Sequence, residues 1–261
     1  MGMSPPTVMA VLHVIQNELK ERAPNPSILS LGYSDILISS DELESIYNLK
    51  GLEVRPDSEG IASFHGKDPK VLKVPTCESF FHKALGCSRY DVIDIKEWRG
   101  GEIVLDLNLP VEYQPNKDKL AQEGYDLVLD LGTLEHCFNA PQVLRSIDEQ
   151  VKPGGYVIHW NPLIMPNHGF YNFSPTFFYD WYKHLGYQVE SMVTWVKDMK
   201  TQQESGLLTP TTGRFSLPLE NASNLVVVHK PLDYNVVEGM KKRNTSFPMQ
   251  TKYRKMMEKD G

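Results

Sequence analysis

Short runs of continuously apolar residues alternate along this chain with stretches whose apolar residues recur at helical spacing. Leu127–Leu131 and Tyr156–Trp160 are apolar over most of their length. Such runs are typical of strands buried on both faces, as in parallel sheets, rather than of strands with one face in water. The pattern predicts seven strands, which cover Ser27–Tyr33, Tyr90–Ile95, Ile103–Leu107, Leu127–Leu131, Tyr156–Trp160, Gln188–Trp195 and Asn224–Val228.

The stretches between these strands end at residues that stop helices. An N-terminal helix is predicted over 7–22, where Pro24 and Pro26 end it. Pro153 and the two glycines after it predict a break before the fifth strand. Because strands alternate with helices, we expect an α/β, doubly wound, mostly parallel Rossmann-like sheet. The other predicted helices are Asp41–Tyr47, Cys77–Leu85, Pro141–Gln150 and Pro175–Leu185.

The same pattern predicts one domain over residues 1–230 with a long first crossover over 34–89. This crossover far exceeds the roughly one dozen residues that a simple parallel connection needs. Lys200–Leu219 is rich in Ser, Thr, Gly and Pro, which favours a loop or a lid. Residues 231–261 carry no strand pattern, and we expect a helical or partly disordered tail. Either segment could close over a substrate or pair two subunits in a homodimer.

Composition and charge narrow the functional classes. Of 261 residues, 41% are hydrophobic and 23% are charged, which is ordinary for a soluble globular protein. The formal net charge of −6 disfavours a general nucleic-acid binder. Three cysteines without C-x-x-C spacing suggest neither a disulfide framework nor a zinc site. No apolar run approaches the ~20 residues that cross a bilayer and no signal-peptide pattern opens the chain, so we expect a cytoplasmic protein with no membrane contact.

Acidic residues close three predicted strands in succession. Asp94 closes the second strand, Asp106 the third and Asp130 the fourth. The carboxyl ends of parallel strands meet at one edge of a sheet, where such proteins bind ligands. Acids also cap turns and helix N-termini, so a single acid at a strand end is weak evidence for a ligand site. Three in succession favour a shared binding crevice.

Four segments narrow the interpretation: Glu78–Gly86, Val104–Pro110, Asp130–Asn139 and Asn167–Pro175. In this order they resemble a bacterial subfamily of class I S-adenosylmethionine-dependent methyltransferases, often associated with surface-polysaccharide and other biosynthetic clusters. The most specific are Asp-Leu-Gly-Thr-Leu-Glu-His-Cys-Phe-Asn and Asn-His-Gly-Phe-Tyr-Asn-Phe-Ser-Pro. The resemblance covers roughly residues 27–230. It implies a seven-stranded sheet with a C-terminal β-hairpin edge, S-adenosyl-L-methionine as cofactor, and methyl transfer to an oxygen or nitrogen of a small acceptor, such as a sugar or another biosynthetic intermediate.

The resemblance also implies which residues hold the cofactor. Asp94 with Ile95 would bind the ribose hydroxyls, and Asp106 with Leu107 and Asn108 the adenine. The methionine side would meet the first turn and the turn after the fourth strand. The first turn has one glycine, where the class usually has G-x-G-x-G, although the subfamily also tends to have a degenerate first loop. The residues implied at these two turns are Gly32, Tyr33 and Ser34, then Asp130, Gly132 and Thr133.

Methyl transfer depends mainly on positioning, with a base where the attacking atom carries a proton. His136 and His168 are candidate bases, because an imidazole accepts a proton near neutral pH. Glu135 is expected to bond locally or to help hold the sulfonium end. His159 lies within an apolar strand, where a buried, hydrogen-bonded role is expected. Acceptor binding is predicted for His168, Tyr171 and Asn172.

The same residues are also compatible with other functions. The site could bind S-adenosylmethionine for another reaction, such as cleavage or transfer of a different group. Alternatively, the single-glycine first loop could belong to a non-catalytic module that lost the cofactor. His136, His159 and His168 show neither H-x-x-x-H nor H-x-H spacing, so no metal site is predicted.

Overall fold

A large mixed sheet forms the centre of the protein. The computed structural model describes residues 2–198, 201, 203–210, 215 and 221–250. The strands of the sheet within them are β1 Ser27–Leu31, β2 Arg89–Asp94, β3 Ile103–Val104, β4 Tyr125–Asp130, β5 Val151–Ile164, β6 Gln188–Lys197, β7 Glu204–Leu208 and β8 Asn221–His229. These 8 strands are ordered β3-β2-β1-β4-β5-β8-β6-β7.

The first five strands are parallel, with β1 paired to β2 on one side and to β4 on the other. β8 then runs antiparallel to both β5 and β6. The predicted mostly parallel, Rossmann-like sheet with an antiparallel edge is therefore confirmed. β7 extends that edge beyond the seven predicted strands, because it pairs antiparallel with β6.

Helices cover both faces of the sheet, and alternate residues of one strand face opposite layers. Leu29 of β1 packs in the layer that contains Val143, whereas Ile28 packs in the layer that contains Val11. Each face of the central strands is buried, which explains their continuous apolar sequence. The helices are α1 Pro5–His13, α2 Ser40–Tyr47, α3 Ser58–Phe64, α4 Ala140–Gln150, α5 Pro175–Leu185 and α6 Val236–Thr245. None of the helices in the described parts of the chain has the length and apolar character to span a membrane.

The N-terminal part and the first crossover contain more structure than the sequence predicted. The N-terminal helix continues beyond α1 as a π-helical segment, Val14–Glu18. A second π-helical segment, Ser79–Ala84, lies where the helix Cys77–Leu85 was predicted. α3 was not predicted. A separate pair of parallel two-residue strands, Gly2–Met3 and Asp35–Ile36, ties the N-terminus to the start of the crossover.

Two predictions about strands were wrong. The Pro-Gly-Gly run does not interrupt β5. On β4, Tyr125 pairs with Val151 of β5, whereas Leu127 pairs with Tyr156. This shift in register leaves extra residues on β5, and Pro153–Gly155 lie among them. The predicted loop Lys200–Leu219 contains β7, all five residues of which are exposed. A strand without a buried face has no apolar pattern to reveal it. Residues 200, 202, 211–214 and 216–219 of this segment lie outside the described residues.

Within the segment 231–261, residues Val236–Thr245 form α6, which packs against α5. Its Arg243 is buried and contacts Asp148 of α4. Residues 251–261, the end of the predicted tail, lie outside the described residues. The division between a domain over 1–230 and a separate tail stays a prediction.

Candidate functional site

A cavity of about 260 Å³ opens at the carboxyl ends of β1, β2 and β3. β1 lies between β2 and β4 in the sheet. The connection that follows β1 and the one that follows β4 therefore lead to opposite sides, and a crevice opens between them at the edge of the sheet. The lining contains most of the residues predicted to hold the cofactor: Gly32, Asp94, Ile95, Asp106, Leu107, Asn108 and Thr133, with Ile93, Leu105, His136 and Cys137 beside them.

Gly32 makes the sharp turn after β1. Its φ of 74° lies in the left-handed region, which residues with a Cβ rarely adopt. Its N–H donates to the carbonyl oxygen of Ile93 at 2.7 Å, which ties the turn to the end of β2. The single glycine of this degenerate loop therefore stands at the position where the turn requires glycine. Because it has no side chain, its backbone lines the cavity directly.

Local hydrogen bonds hold the two acids in the cavity. Asp94 Oδ1 accepts from the Ile95 N–H at 2.7 Å and from Trp98 Nε1 at 3.1 Å. Asp106 Oδ1 accepts from the backbone N–H and from Nδ2 of Asn108, both at 2.9 Å. These bonds are turn caps of the kind that acids make at strand ends. They also fix both carboxylates at the cavity wall.

A second cavity of about 420 Å³ lies beside the first, and its lining includes Gly132, Glu135, Trp160, Met165 and His168. His136 lines both cavities. Ligand pockets in proteins typically measure ~300–1,000 Å³, so the second cavity falls within this range and the first slightly below it. The structure therefore has two adjoining cavities with an imidazole between them.

Glu135, His136 and His168 converge in the second cavity. Glu135 Oε1 lies 3.5 Å from His168 Nε2 and 4.0 Å from His136 Nε2. Glu135 is 1% exposed, whereas the two imidazoles are 43% and 45% exposed. Asn161 Nδ2 donates to Glu135 Oε2 at 3.0 Å, which turns Oε1 toward the imidazoles.

Backbone contacts hold these three side chains together. Glu135 and His136 lie on a single helical turn, Leu134–His136, that follows β4. The segment that carries His168 folds back onto this turn, where the N–H of Phe170 donates to the Glu135 carbonyl oxygen at 2.8 Å. A Cβ on Gly169 would lie 2.7 Å from that oxygen, so the close approach requires glycine.

Burial shifts the pKa of two members of this cluster. Burial, together with the nearby Asp130 carboxylate, raises the pKa of Glu135 to about 7. Burial lowers the pKa of His136, and the neighbouring His168 lowers it in the same direction. Groups that exchange protons near neutral pH are common at functional sites.

Five predicted site residues lie outside the linings of both cavities. Tyr33 packs against Arg55 and Arg99, and Ser34 is fully buried. Asp130 is also fully buried beneath the turn after β4. The hydroxyl of Tyr171 donates to the Phe138 carbonyl oxygen at 2.7 Å, and Asn172 Oδ1 accepts from the Met165 N–H at 2.7 Å. Both side chains thus bond to the backbone of the loops around the site.

Sequence reasoning missed several residues of the second cavity. Trp160 and Met165 lie at or just beyond the predicted end of the fifth strand. Ligands bind at the carboxyl ends of parallel strands, so this position could have identified both residues as site candidates. Phe64 and His65 come from the end of α3, which was not predicted. His159 is fully buried and hydrogen-bonded, as expected.

Comparisons by sequence identify no relative: no family model matches the chain, and no curated protein matches it. The chain is similar in structure to the N-methyltransferase NodS from Bradyrhizobium japonicum WM9 in complex with S-adenosyl-L-homocysteine. That likeness has a TM-score of 0.41 and 10% identity, over 87% of this chain and 89% of NodS.

It is also similar to the 1,6-didemethyltoxoflavin N1-methyltransferase from Burkholderia thailandensis, with a TM-score of 0.44 and 12% identity over 85% of this chain and 76% of the other. A third similar structure is a SAM-dependent methyltransferase from Archaeoglobus fulgidus, with a TM-score of 0.44 and 13% identity over 85% and 99% of the two chains. Likenesses this distant do not establish an activity for this chain.

Proposed function

We propose that this protein is an S-adenosylmethionine-dependent methyltransferase that acts on an oxygen or nitrogen of a small molecule. The observation that carries the proposal is the pair of adjoining cavities at the carboxyl edge of the sheet. The first has carboxylate and amide groups set among apolar side chains, which suits an adenosyl group, and the second has room for an acceptor beside it. His136 borders both and lies where the two ligands would meet.

The residues of the first cavity fit the proposed cofactor. Asp94 offers a fixed carboxylate for ribose hydroxyls, which are hydrogen-bond donors. Asp106 and Asn108 offer acceptors for the adenine amine, and the Gly32 backbone permits close approach of the methionine portion. When bound, S-adenosylmethionine supplies a methyl group on a positively charged sulfur.

The residues of the second cavity fit an acceptor that must lose a proton. His136 and His168 offer imidazole nitrogens within the cavity, and Glu135 lies beneath them. An acceptor oxygen or nitrogen that took this methyl group from sulfur, the bonding electrons staying on sulfur, would have one proton to lose. An imidazole takes the proton of the acceptor, which is the base role expected from the sequence.

Binding and product analysis test the proposal together. We expect S-adenosylhomocysteine to bind the purified protein in calorimetry and to raise its melting temperature. With S-adenosylmethionine and a panel of hydroxylated and amino small molecules, S-adenosylhomocysteine should form together with a methylated product.

Two outcomes contradict the proposal in different ways. Absence of both binding signals at millimolar ligand would favour a module that does not bind the cofactor. Formation of methylthioadenosine in place of S-adenosylhomocysteine would assign another reaction to the same cofactor site.

A further inference from the structure

We propose that Glu135, His136 and His168 bind one divalent transition-metal ion. Their side chains each offer one ligand atom, and these three atoms all lie within 4.8 Å of one another. This grouping is invisible in sequence spacing, because His168 reaches the other two only through the fold. It also differs from the three histidines considered from the sequence, since buried His159 points to Asp130 instead.

The distances are close to those that a metal centre requires. Ligands at ~2.1 Å around a tetrahedral ion lie ~3.4 Å from one another. The separation between Glu135 Oε1 and His168 Nε2 is already 3.5 Å, and that between Glu135 Oε1 and His136 Nε2 is 4.0 Å. The imidazoles are each nearly half exposed, so small side-chain rotations complete the triangle without disturbing the core.

The carboxylate at the base of the cluster is oriented by its neighbours. Asn161 is buried and donates from Nδ2 to Glu135 Oε2 at 3.0 Å, and the same Nδ2 donates to Asp130 Oδ2 at 3.0 Å. Hydrogen bonds of this kind to a ligating carboxylate are a regular feature of metal sites, because they fix the direction of its free oxygen. Here the free oxygen is Oε1, which faces both imidazoles.

The donor set selects the class of ion. Two imidazoles and one carboxylate suit borderline ions such as Zn²⁺, whereas Mg²⁺ and Ca²⁺ prefer sites built of oxygen alone. Three protein ligands leave further coordination positions open, and these face the cavity of about 420 Å³. If the protein has the proposed methyltransferase function, an oxygen of the acceptor would occupy an open coordination position. This consequence alone rests on the proposed function. Histidine lone pairs that hold an ion cannot also accept a proton, so the ion and the imidazole base are alternative roles.

Metal titration tests the site without any assay of activity. Chelator-treated full-length protein is titrated with Zn²⁺ in a calorimeter, alone and with excess Mg²⁺. We expect one Zn²⁺ per chain that Mg²⁺ does not displace. Glu135→Gln and His168→Gln should each weaken binding by at least ~100-fold, since each removes one of three ligands. Zinc binding by both variants at the wild-type affinity would overturn the proposal, as would displacement by Mg²⁺.

A matched control and a second measurement complete the test. His13 Nε2 lies 3.3 Å from Glu18 Oε1 on the exposed face of the N-terminal helix, but within the described residues no second histidine joins that pair. His13→Gln should therefore leave zinc binding unchanged. If the cluster variants fail to fold, the visible spectrum of Co²⁺ bound to the wild-type protein decides. Intense bands typical of four or five ligands with nitrogen are expected, and the faint spectrum of hydrated Co²⁺ would contradict the site. Because no methyl donor is present, these results do not depend on the proposed reaction.

Discussion

His159 Nδ1 lies 2.7 Å from Asp130 Oδ2 in the interior of the sheet, and neither side chain is exposed to solvent. A carboxylate only accepts hydrogen bonds, so Nδ1 carries the proton and Nε2 accepts from the Tyr182 hydroxyl at 2.7 Å. Burial raises the pKa of Tyr182 well above its usual range, which keeps that hydroxyl protonated as the donor. The chain Asp130–His159–Tyr182 thus connects β4, β5 and α5 beneath the candidate site.

Replacement of Asp130 by alanine should destabilise the protein by at least about 1.5–3 kcal/mol, because the buried Nδ1–H of His159 loses its charged hydrogen-bond acceptor. Asp130 Oδ1 also accepts from the backbone N–H groups of Thr133 and Leu134, so the turn that carries Glu135 loses its cap as well. Urea unfolding measures the change. Asp118→Ala, at an exposed acid, is the control and should leave the unfolding midpoint unchanged. A loss below about 1 kcal/mol for Asp130→Ala would contradict the structural role.

Asp130 also illustrates what the sequence could and could not predict. The apolar run before it predicted β4 to within two residues at either end, because burial on both faces leaves a clear pattern. Whether the acid at the strand end faces the cavity or the interior depends on side-chain direction, which reverses at each residue. Asp94 and Asp106 face the cavity, whereas Asp130 faces His159. An uncertainty of one residue in the strand end is enough to hide this difference.

The approach of His168 to Glu135 was beyond prediction for another reason. Long-range contacts between loops depend on backbone geometry that has no periodic signature. Here Asn167 adopts a left-handed φ of 62°, and Gly169 allows the segment to touch the backbone of Glu135. The sequence identified the two segments that meet, Asp130–Asn139 and Asn167–Pro175, through resemblance. It did not indicate that their side chains would form one cluster.

Asp94→Ala should weaken binding of S-adenosylhomocysteine by about 10- to 100-fold. A hydrogen bond to a charged group contributes about 1.5–3 kcal/mol, and each 1.4 kcal/mol corresponds to tenfold in affinity. Isothermal titration calorimetry measures the change, with Asp118→Ala as the control expected to bind like the wild type. Unchanged affinity in Asp94→Ala would remove ribose recognition from this residue, even if the cofactor binds.

His229 should contribute less to the stability of the protein as the pH falls from about 7.5 to 5.5. Its ring stacks on Tyr156 with centroids 4.6 Å apart, and burial lowers the pKa of His229 below its usual value. The unfolded chain therefore takes up a proton near pH 6.5 that the folded protein resists, so acid favours unfolding. The carboxylate of Glu190, 3.8 Å away, offsets part of this effect.

His229→Phe isolates that contribution, because phenylalanine keeps the stacking and cannot titrate. The free energy of unfolding of wild type and variant is measured in urea at pH 7.5 and 5.5. The stability of the wild type relative to that of the variant should be lower at pH 5.5 than at pH 7.5. A difference that stays the same at both pH values would show that His229 takes no part in the pH dependence.

Buried charges at Asp148 should make the C-terminal helix α6 an integral part of the fold. Asp148 is fully buried, with Lys230 Nζ 3.1 Å from Oδ1 and Arg243 Nη1 2.7 Å from Oδ2. Asp148→Ala leaves two buried cations without their shared anion and should cost about 3–5 kcal/mol. Arg243→Ala should cost less, about 1–3 kcal/mol, because Lys230 still neutralises the carboxylate. Urea unfolding should rank the two variants in this order of lost stability. Glu238→Gln is the control, because it breaks only an exposed ion pair with Lys242 on the same helix, and it should match the wild type. If Arg243→Ala also matched the wild type, the buried ion pair between α6 and Asp148 would contribute nothing to the stability of the protein.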